Sequence, residues 1–288
     1  MKPFVLRAAT AAFCVVPLVA HAADNTVCAG PPGGLPIIAP LEHFAARIEQ
    51  GGPLNIVAVG SSSTAGIGAS GPDLTYPSRL EAELRQRFPS LDIHVVNRGK
   101  GGEDAPEELA RLPNDVVALH PDLAIWQVGT NAVLRRDDLG ADAEWMREGV
   151  ELMKRNGIDV VLMDLQVAPR VLDRTSYAAM ETLIADTANR EQVGLFRRFA
   201  LMRYWQASHP ADAPAMVGAD GLHMTDAGYG CLAADLAAAL EANWQSEHKL
   251  AQREHAAPDA VAGLPARSSA HSPETTEPMR RNDATPFN

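Results

Sequence analysis

Leu54-Asn55-Ile56-Val57-Ala58-Val59-Gly60-Ser61-Ser62-Ser63-Thr64-Ala65-Gly66 is an apolar run that stops abruptly in small hydroxyl residues. The run from Leu54 to Val59 is almost unbroken, which suits a strand covered on both faces, as in a parallel sheet. In open α/β sheets ligands bind beyond the carboxyl ends of such strands. Gly60 lets the chain turn there, and Ser62, two residues later, stands above the sheet where a reacting group belongs. Clusters of Gly and Ser are also ordinary loop punctuation, so this stretch alone leaves both readings open.

Working outward, Gly66-Ile67-Gly68-Ala69-Ser70-Gly71 has the spacing of a dinucleotide-binding fingerprint. That fingerprint needs its first glycine at the strand end and a helix opening on its last. Here it begins six residues after Gly60, and Pro72 and Pro77 precede any helical pattern, so it reads as a decoy. Pro77 then opens a helix with Leu80, Leu84 and Phe88 on one stripe, and Pro89 ends it. Strand and helix alternate from there. Strands are expected at Ile93 to Val96, Leu123 to Val128, Ile158 to Met163 and Val193 to Phe196. Helices are expected at Glu103 to Leu112, Ala143 to Arg155 and Ser176 to Arg190. A last, alanine-rich helix is capped by Thr225 or Asp226 and runs to about Trp244. Such alternation implies βαβ units and a parallel sheet with right-handed crossovers.

The chain has 288 residues, enough for one sizeable domain with extensions. Lys2 and Arg7 precede an apolar run from Ala8 to Ala20, and Ala20-His21-Ala22 offers a signal peptidase small residues at both positions it reads. Residues 1–22 therefore read as a signal peptide, 23–52 as a Pro/Gly-rich surface lead-in, 53–246 as the folded domain and 247–288 as a tail. The tail is polar and rich in Pro, Ser and Thr, and its composition predicts disorder. No later stretch reaches the ~20 apolar residues of a membrane span, so the protein is expected to be exported, to the periplasm or beyond.

With 25 basic and 36 acidic residues the net charge is −11, and loss of Lys2 and Arg7 with the leader makes it −13. That balance argues against nucleic acid, which calls for a basic stripe. Cys14 leaves with the leader, and the remaining pair, Cys28 and Cys231, is expected to form a disulfide in an oxidising compartment. No His, Cys and carboxylate set has metal-ligand spacing, so neither metal nor cofactor is expected.

Polar landmarks fall at the strand ends and before the last helix: Asn97-Arg98-Gly99-Lys100-Gly101-Gly102, then Gly129-Thr130-Asn131, then Asp220-Gly221-Leu222-His223. A serine alcohol attacks a carbonyl only if a base takes its proton, the base is held in one tautomer and the oxyanion meets preorganised donors. Ser62 supplies the nucleophile, His223 the base and Asp220 its orienter. The Ser62 N–H, the Gly102 N–H and the Asn131 amide supply the oxyanion donors. Singly, each has a plain alternative: Asp220 starts a turn, His223 is a surface residue, Asn131 binds its own loop and Gly102 is a turn glycine. All of them together, in this order, point to catalysis.

In these residues the chain resembles the SGNH (GDSL) hydrolase superfamily, over roughly Leu54 to Trp244. The family blocks correspond to Gly60-Ser61-Ser62-Ser63-Thr64, to Asn97 through Gly102, to Gly129-Thr130-Asn131-Ala132 and to Asp220-Gly221-Leu222-His223. Ser61 and Ala132 stand where the family usually or often has Asp, which bears on loop geometry and substrate preference rather than on the triad. The resemblance implies a flavodoxin-like three-layer α/β/α sandwich with a parallel five-stranded sheet, and metal-free hydrolysis of a carboxylic ester or thioester. The Gly-x-Ser-x-Gly elbow of α/β-hydrolases is absent, since Thr64 holds its second glycine position. The expected function is an exported serine esterase acting on a small-molecule or glycan ester, an acetyl group on a polysaccharide among them. The alternatives are an acyltransferase with the same triad and a catalytically idle glycan-binding domain. Gln166, Pro169 and Trp126 lie near strand ends where they can shape a pocket, with core the alternative role for Trp126.

Overall fold

The computed structural model describes residues 28–135 and 139–256. At its centre is an all-parallel sheet of β1 (Leu54–Gly60), β2 (Ile93–Gly99), β3 (Leu123–Gln127), β4 (Asp159–Met163) and β5 (Gly194–Phe196), in the order β2-β1-β3-β4-β5. This is the doubly wound order of flavodoxin-like folds, and every strand expected from the sequence is present. The described helices are α1 (Glu42–Gln50), α2 (Ser62–Ala65), α3 (Tyr76–Arg87), α4 (Ala105–Asp115), α5 (Thr130–Arg135), α6 (Asp142–Arg155), α7 (Pro169–Leu172), α8 (Tyr177–Glu191), α9 (Arg198–Ser208) and α10 (Asp226–Ala256).

Alternation along β1 divides the core in two. Leu54, Ile56 and Ala58 pack with side chains of α1, α3, α9 and α10, while Val57 and Val59 pack with α4, α6 and α8. Three layers result, because each strand face must be covered by a helix stripe. The register sets Gly60 beside Gly99 on one side and Gln127 on the other. The carboxyl ends of β1, β2 and β3 therefore finish level, and the loops that leave them share one rim.

Local chemistry sets the boundaries. Thr75 caps α3 by accepting the Ser78 N–H, with Pro77 in the first turn. Helix α4 begins at Ala105 rather than Glu103, because Asp104 takes the cap and forms a capping box with Glu107. Helix α9 was not expected, and α10 continues past Trp244 to Ala256. The lead-in expected on the surface instead sends Ile37, Leu41 and Phe44 into the core at 2%, 1% and 0% exposure. Cys28 and Cys231 are joined by a disulfide across 203 residues of sequence, with a Cα–Cα distance of 4.7 Å.

Residues up to His248 form one unit, and those from Lys249 a second, of which only the end of α10 is described. The signal segment expected at 1–22 and the tail beyond Ala256 lie outside the described residues. No described helix is long and apolar enough to cross a membrane.

Candidate active site

The chain leaves β1 at Gly60 with φ 152°, and a side chain here would begin 2.7 Å from the Gln127 carbonyl oxygen. Only glycine allows so tight a turn against β3. The Ser61 N–H and hydroxyl each donate to Gln127 Oε1 at 3.1 Å, and the Thr64 hydroxyl joins them at 3.3 Å. Ser62 then opens α2. That short helix rests on the end of β2, where a side chain at Gly99 would begin 2.0 Å from the Ala65 nitrogen. Asn97 Nδ2 donates to the Thr64 carbonyl at 2.8 Å. Two neighbouring strands thus fix where the Ser62 hydroxyl stands.

The structure brings Ser62, His223 and Asp220 together. His223 Nε2 lies 2.9 Å from Ser62 Oγ, and His223 Nδ1 lies 2.5 Å from Asp220 Oδ2. A carboxylate only accepts, so Nδ1 carries the proton and Nε2 offers its lone pair to the serine hydroxyl. The other carboxylate oxygen of Asp220 accepts the N–H groups of Leu222 and His223 at 3.0 Å each. Gly221, at φ 67°, permits this turn. Partial desolvation pushes the Asp220 carboxyl up, but the His223 ring and the two N–H groups outweigh it and hold it below the usual carboxylate range. The His223 side chain is 13% exposed, that of Asp220 46%.

The loop that mimicked a dinucleotide fingerprint crosses the histidine. A side chain at Gly68 would begin 2.4 Å from the Met224 carbonyl oxygen and 3.1 Å from His223 Cβ. The loop is pinned by the Tyr229 hydroxyl, which donates to the Ile67 carbonyl at 2.7 Å. Ser70 anchors it too, its N–H and hydroxyl meeting the Asp226 carboxylate at 2.8 and 2.6 Å. Gly68 serves close approach to the His223 turn and Gly66 close approach to Thr75, and no helix opens on Gly71, which a short 3₁₀ turn follows.

Of the expected oxyanion donors, Gly102 takes φ 84°, and a side chain at its neighbour Gly101 would begin 3.9 Å from Ser62 Cβ. The loop after β2 therefore runs alongside the serine. Asn131 lies in the first turn of α5, 9% exposed, and its Nδ2 donates to the Glu103 carbonyl at 2.6 Å. That nitrogen carries a second hydrogen for another acceptor.

Gln127 holds the serine turn and was missed in the sequence, where a Gln at a strand end has no local signature. Gln166 does not face a pocket: it is 1% exposed, and its Oε1 accepts from Thr130 Oγ1 and Arg198 Nη2 at 2.9 Å each. Trp126 is core, its Nε1 donating to the buried Glu108 at 2.7 Å. Pro169 lines a cavity of about 640 Å³ with Val167, Pro210, Val217 and Gly221, beside the turn that carries Asp220.

A model of the Non-GDSL lipase-like family matches residues 27–246. An arylesterase of Vibrio mimicus is 28% identical over 149 residues, covering 52% of this chain and 70% of that protein. Among solved structures, a two-domain esterase active on acetylated mannans, co-crystallised with mannopentaose, superposes with a TM-score of 0.63 at 20% identity. The match covers 74% of this chain and 56% of that one, so this chain spans little more than half its length. An acetylxylan esterase of Geobacillus stearothermophilus matches with a TM-score of 0.55 at 21% identity, over 65% of this chain and 94% of its own. At these identities the superpositions establish a shared fold.

Proposed function

We propose that this chain, which belongs to the Non-GDSL lipase-like family, is an exported serine hydrolase of the SGNH type that cleaves a carboxylic ester. The observation that carries the reading is the relay from Asp220 Oδ2 through the His223 ring to Ser62 Oγ, at 2.5 and 2.9 Å. His223 Nε2 takes the hydroxyl proton as Oγ bonds to the acyl carbon, and the Asp220 carboxylate stabilises the imidazolium that forms. The Ser62 N–H, the Gly102 N–H and the second Asn131 amide hydrogen receive the oxyanion. The imidazolium then protonates the departing alcohol. The same nitrogen then deprotonates a water molecule, whose oxygen bonds to the acyl carbon; the bond from that carbon to Ser62 Oγ breaks, the acid leaves, and His223 returns the proton to Oγ.

Acetyl esters of polysaccharides are the substrate class we favour. Two structural neighbours are esterases of acetylated mannans and acetylxylan, which supports that choice. Export is supported by the leader pattern before Ala23 and by the disulfide. A panel of chromogenic esters from acetyl to long acyl, with Ser62→Ala as the blank, tests the reading. Turnover confined to acetyl supports glycan deacetylation, and a long-chain optimum replaces it with lipase-like or thioesterase chemistry. If no ester is cleaved faster by the wild type than by the blank, the hydrolase reading fails.

A further inference from the structure

We infer that Arg111, on α4, is a positioning residue that holds the oxyanion donors in register with the nucleophile; the inference rests on the serine-hydrolase reading. The side chain is 14% exposed, and four of the five hydrogens a guanidinium carries are engaged. Nη2 donates to the Gly60 carbonyl at 3.0 Å, two residues before Ser62. Nη1 donates to the Arg98 carbonyl at 2.8 Å, where β2 opens into the Gly101-Gly102 loop, and to Asp115 at 2.9 Å. Nε meets Glu103 Oε2 at 2.5 Å, and the carbonyl of that same Glu103 accepts Asn131 Nδ2.

One rigid fork therefore touches the turn before the serine, the base of the glycine loop and the residue on which the Asn131 amide rests. The Gly60 turn leads to the Ser62 N–H, Arg98 and Glu103 flank the loop that carries the Gly102 N–H, and the Glu103 carbonyl holds the Asn131 amide, which itself stands on α5. An oxyanion hole works through geometry fixed before the reaction, and small misplacements cost rate rather than binding. A lysine keeps the charge, but as a single point on a flexible stem it cannot span acceptors in three directions. Arg111 touches neither the serine nor the histidine, so its action is on where the donors stand.

The test compares wild type, Arg111→Lys and Arg111→Met on a soluble chromogenic ester that the wild type cleaves. Thermal midpoints are measured, active sites are counted by fluorophosphonate titration, and Ser62→Ala is run alongside. Arg111→Lys is expected to fold, to lose about 10- to 100-fold in kcat per titrated site and to keep KM within about threefold. In an Asn131→Ala background the same substitution should cost less than it does in the wild type, because one of the donors it aligns is gone. A merely structural arginine would leave kcat per site unchanged, or multiply in full with Asn131→Ala, and either result overturns the inference. If Arg111→Met fails to fold, the lysine variant decides. A dead Ser62→Ala beside an Arg111→Lys of wild-type kcat overturns the inference alone, whereas Ser62→Ala at wild-type turnover overturns it together with the hydrolase reading.

Discussion

Asp220 uses both carboxylate oxygens at once, one on the His223 ring and one on the backbone of the turn that carries it. Asp220→Asn keeps the shape but presents an amide that can favour the wrong imidazole tautomer, and should slow turnover by up to ~10⁴-fold. Asn131→Ala removes one of the proposed oxyanion donors and should cost about 10²- to 10³-fold in kcat. Ser62→Ala and His223→Ala should each abolish nearly all turnover without adding in the double variant, since the unit fails as a whole. Steady-state kinetics on one ester check all of these. A buried carboxyl outside the site contributes a pH dependence of stability. Burial raises the Glu108 carboxyl from 4.5 to about 8, against the opposing hydrogen bond from Trp126. The folded state therefore holds this proton more tightly than the unfolded one. The stabilisation, on the order of 5 kcal/mol, is complete below pH 4.5 and is lost as pH rises through about 8. Urea midpoints of wild type should fall relative to Glu108→Gln across that window; parallel curves would contradict the assignment. Ser62, His223 and Asp220, which the fold brings together, were legible because each is a reactive type in an ordered block. Gln127 and Arg111 were not, because their partners include atoms far away in sequence that only the folded rim brings near.

Helix α2 lies against the end of β2 with glycine at the contact, so Gly99→Ala tests how far the serine turn depends on its neighbour. A Cβ 2.0 Å from the Ala65 nitrogen must displace backbone. The expected loss of stability is about 1–3 kcal/mol, and kcat should fall at temperatures where the variant is still fully folded. Wild-type kcat with only a lowered thermal midpoint would show that α2 shifts as a body without moving Ser62 from His223. At this scale the strands and the helices α3, α4, α6 and α8 were readable from apolar runs and stripes ended by Pro, Gly or caps. Helices α2, α5 and α7 are four to six residues long. Ser in α2, Gly129 just before α5 and Pro169 in α7 are punctuation that reads as loop. The buried set Leu201, Met202 and Trp205 marks α9, whose helical spacing is visible in the sequence. In the lead-in, the Pro and Gly content signals a surface segment, and nothing local shows that Leu41 and Phe44 will be covered.

Across the molecule, the disulfide from Cys28 to Cys231 ties the lead-in to α10 over 203 residues. In the chain-entropy model closing so long a loop stabilises by about 5 kcal/mol. Reduction, or Cys28→Ser with Cys231→Ser, should lower the thermal midpoint by many degrees; an unchanged midpoint would remove the bond from the account. A chain ending at Ala256 is expected to fold and to cleave a soluble ester like the full chain, because the sequence beyond offers little apolar area for docking. Loss of activity on that truncation would contradict this. The α/β class followed from the alternation of strand and helix, and the flavodoxin order from family resemblance, since strand order depends on crossovers that leave no mark in local pattern.

Everything proposed for the reaction depends on Ser62 being the nucleophile. Incubation with a fluorophosphonate, followed by mass spectrometry of the digested protein, tests it most directly. A single adduct is expected on Ser62, absent from Ser62→Ala and formed far more slowly in His223→Ala. An adduct on another serine, or none in the wild type, would contradict it.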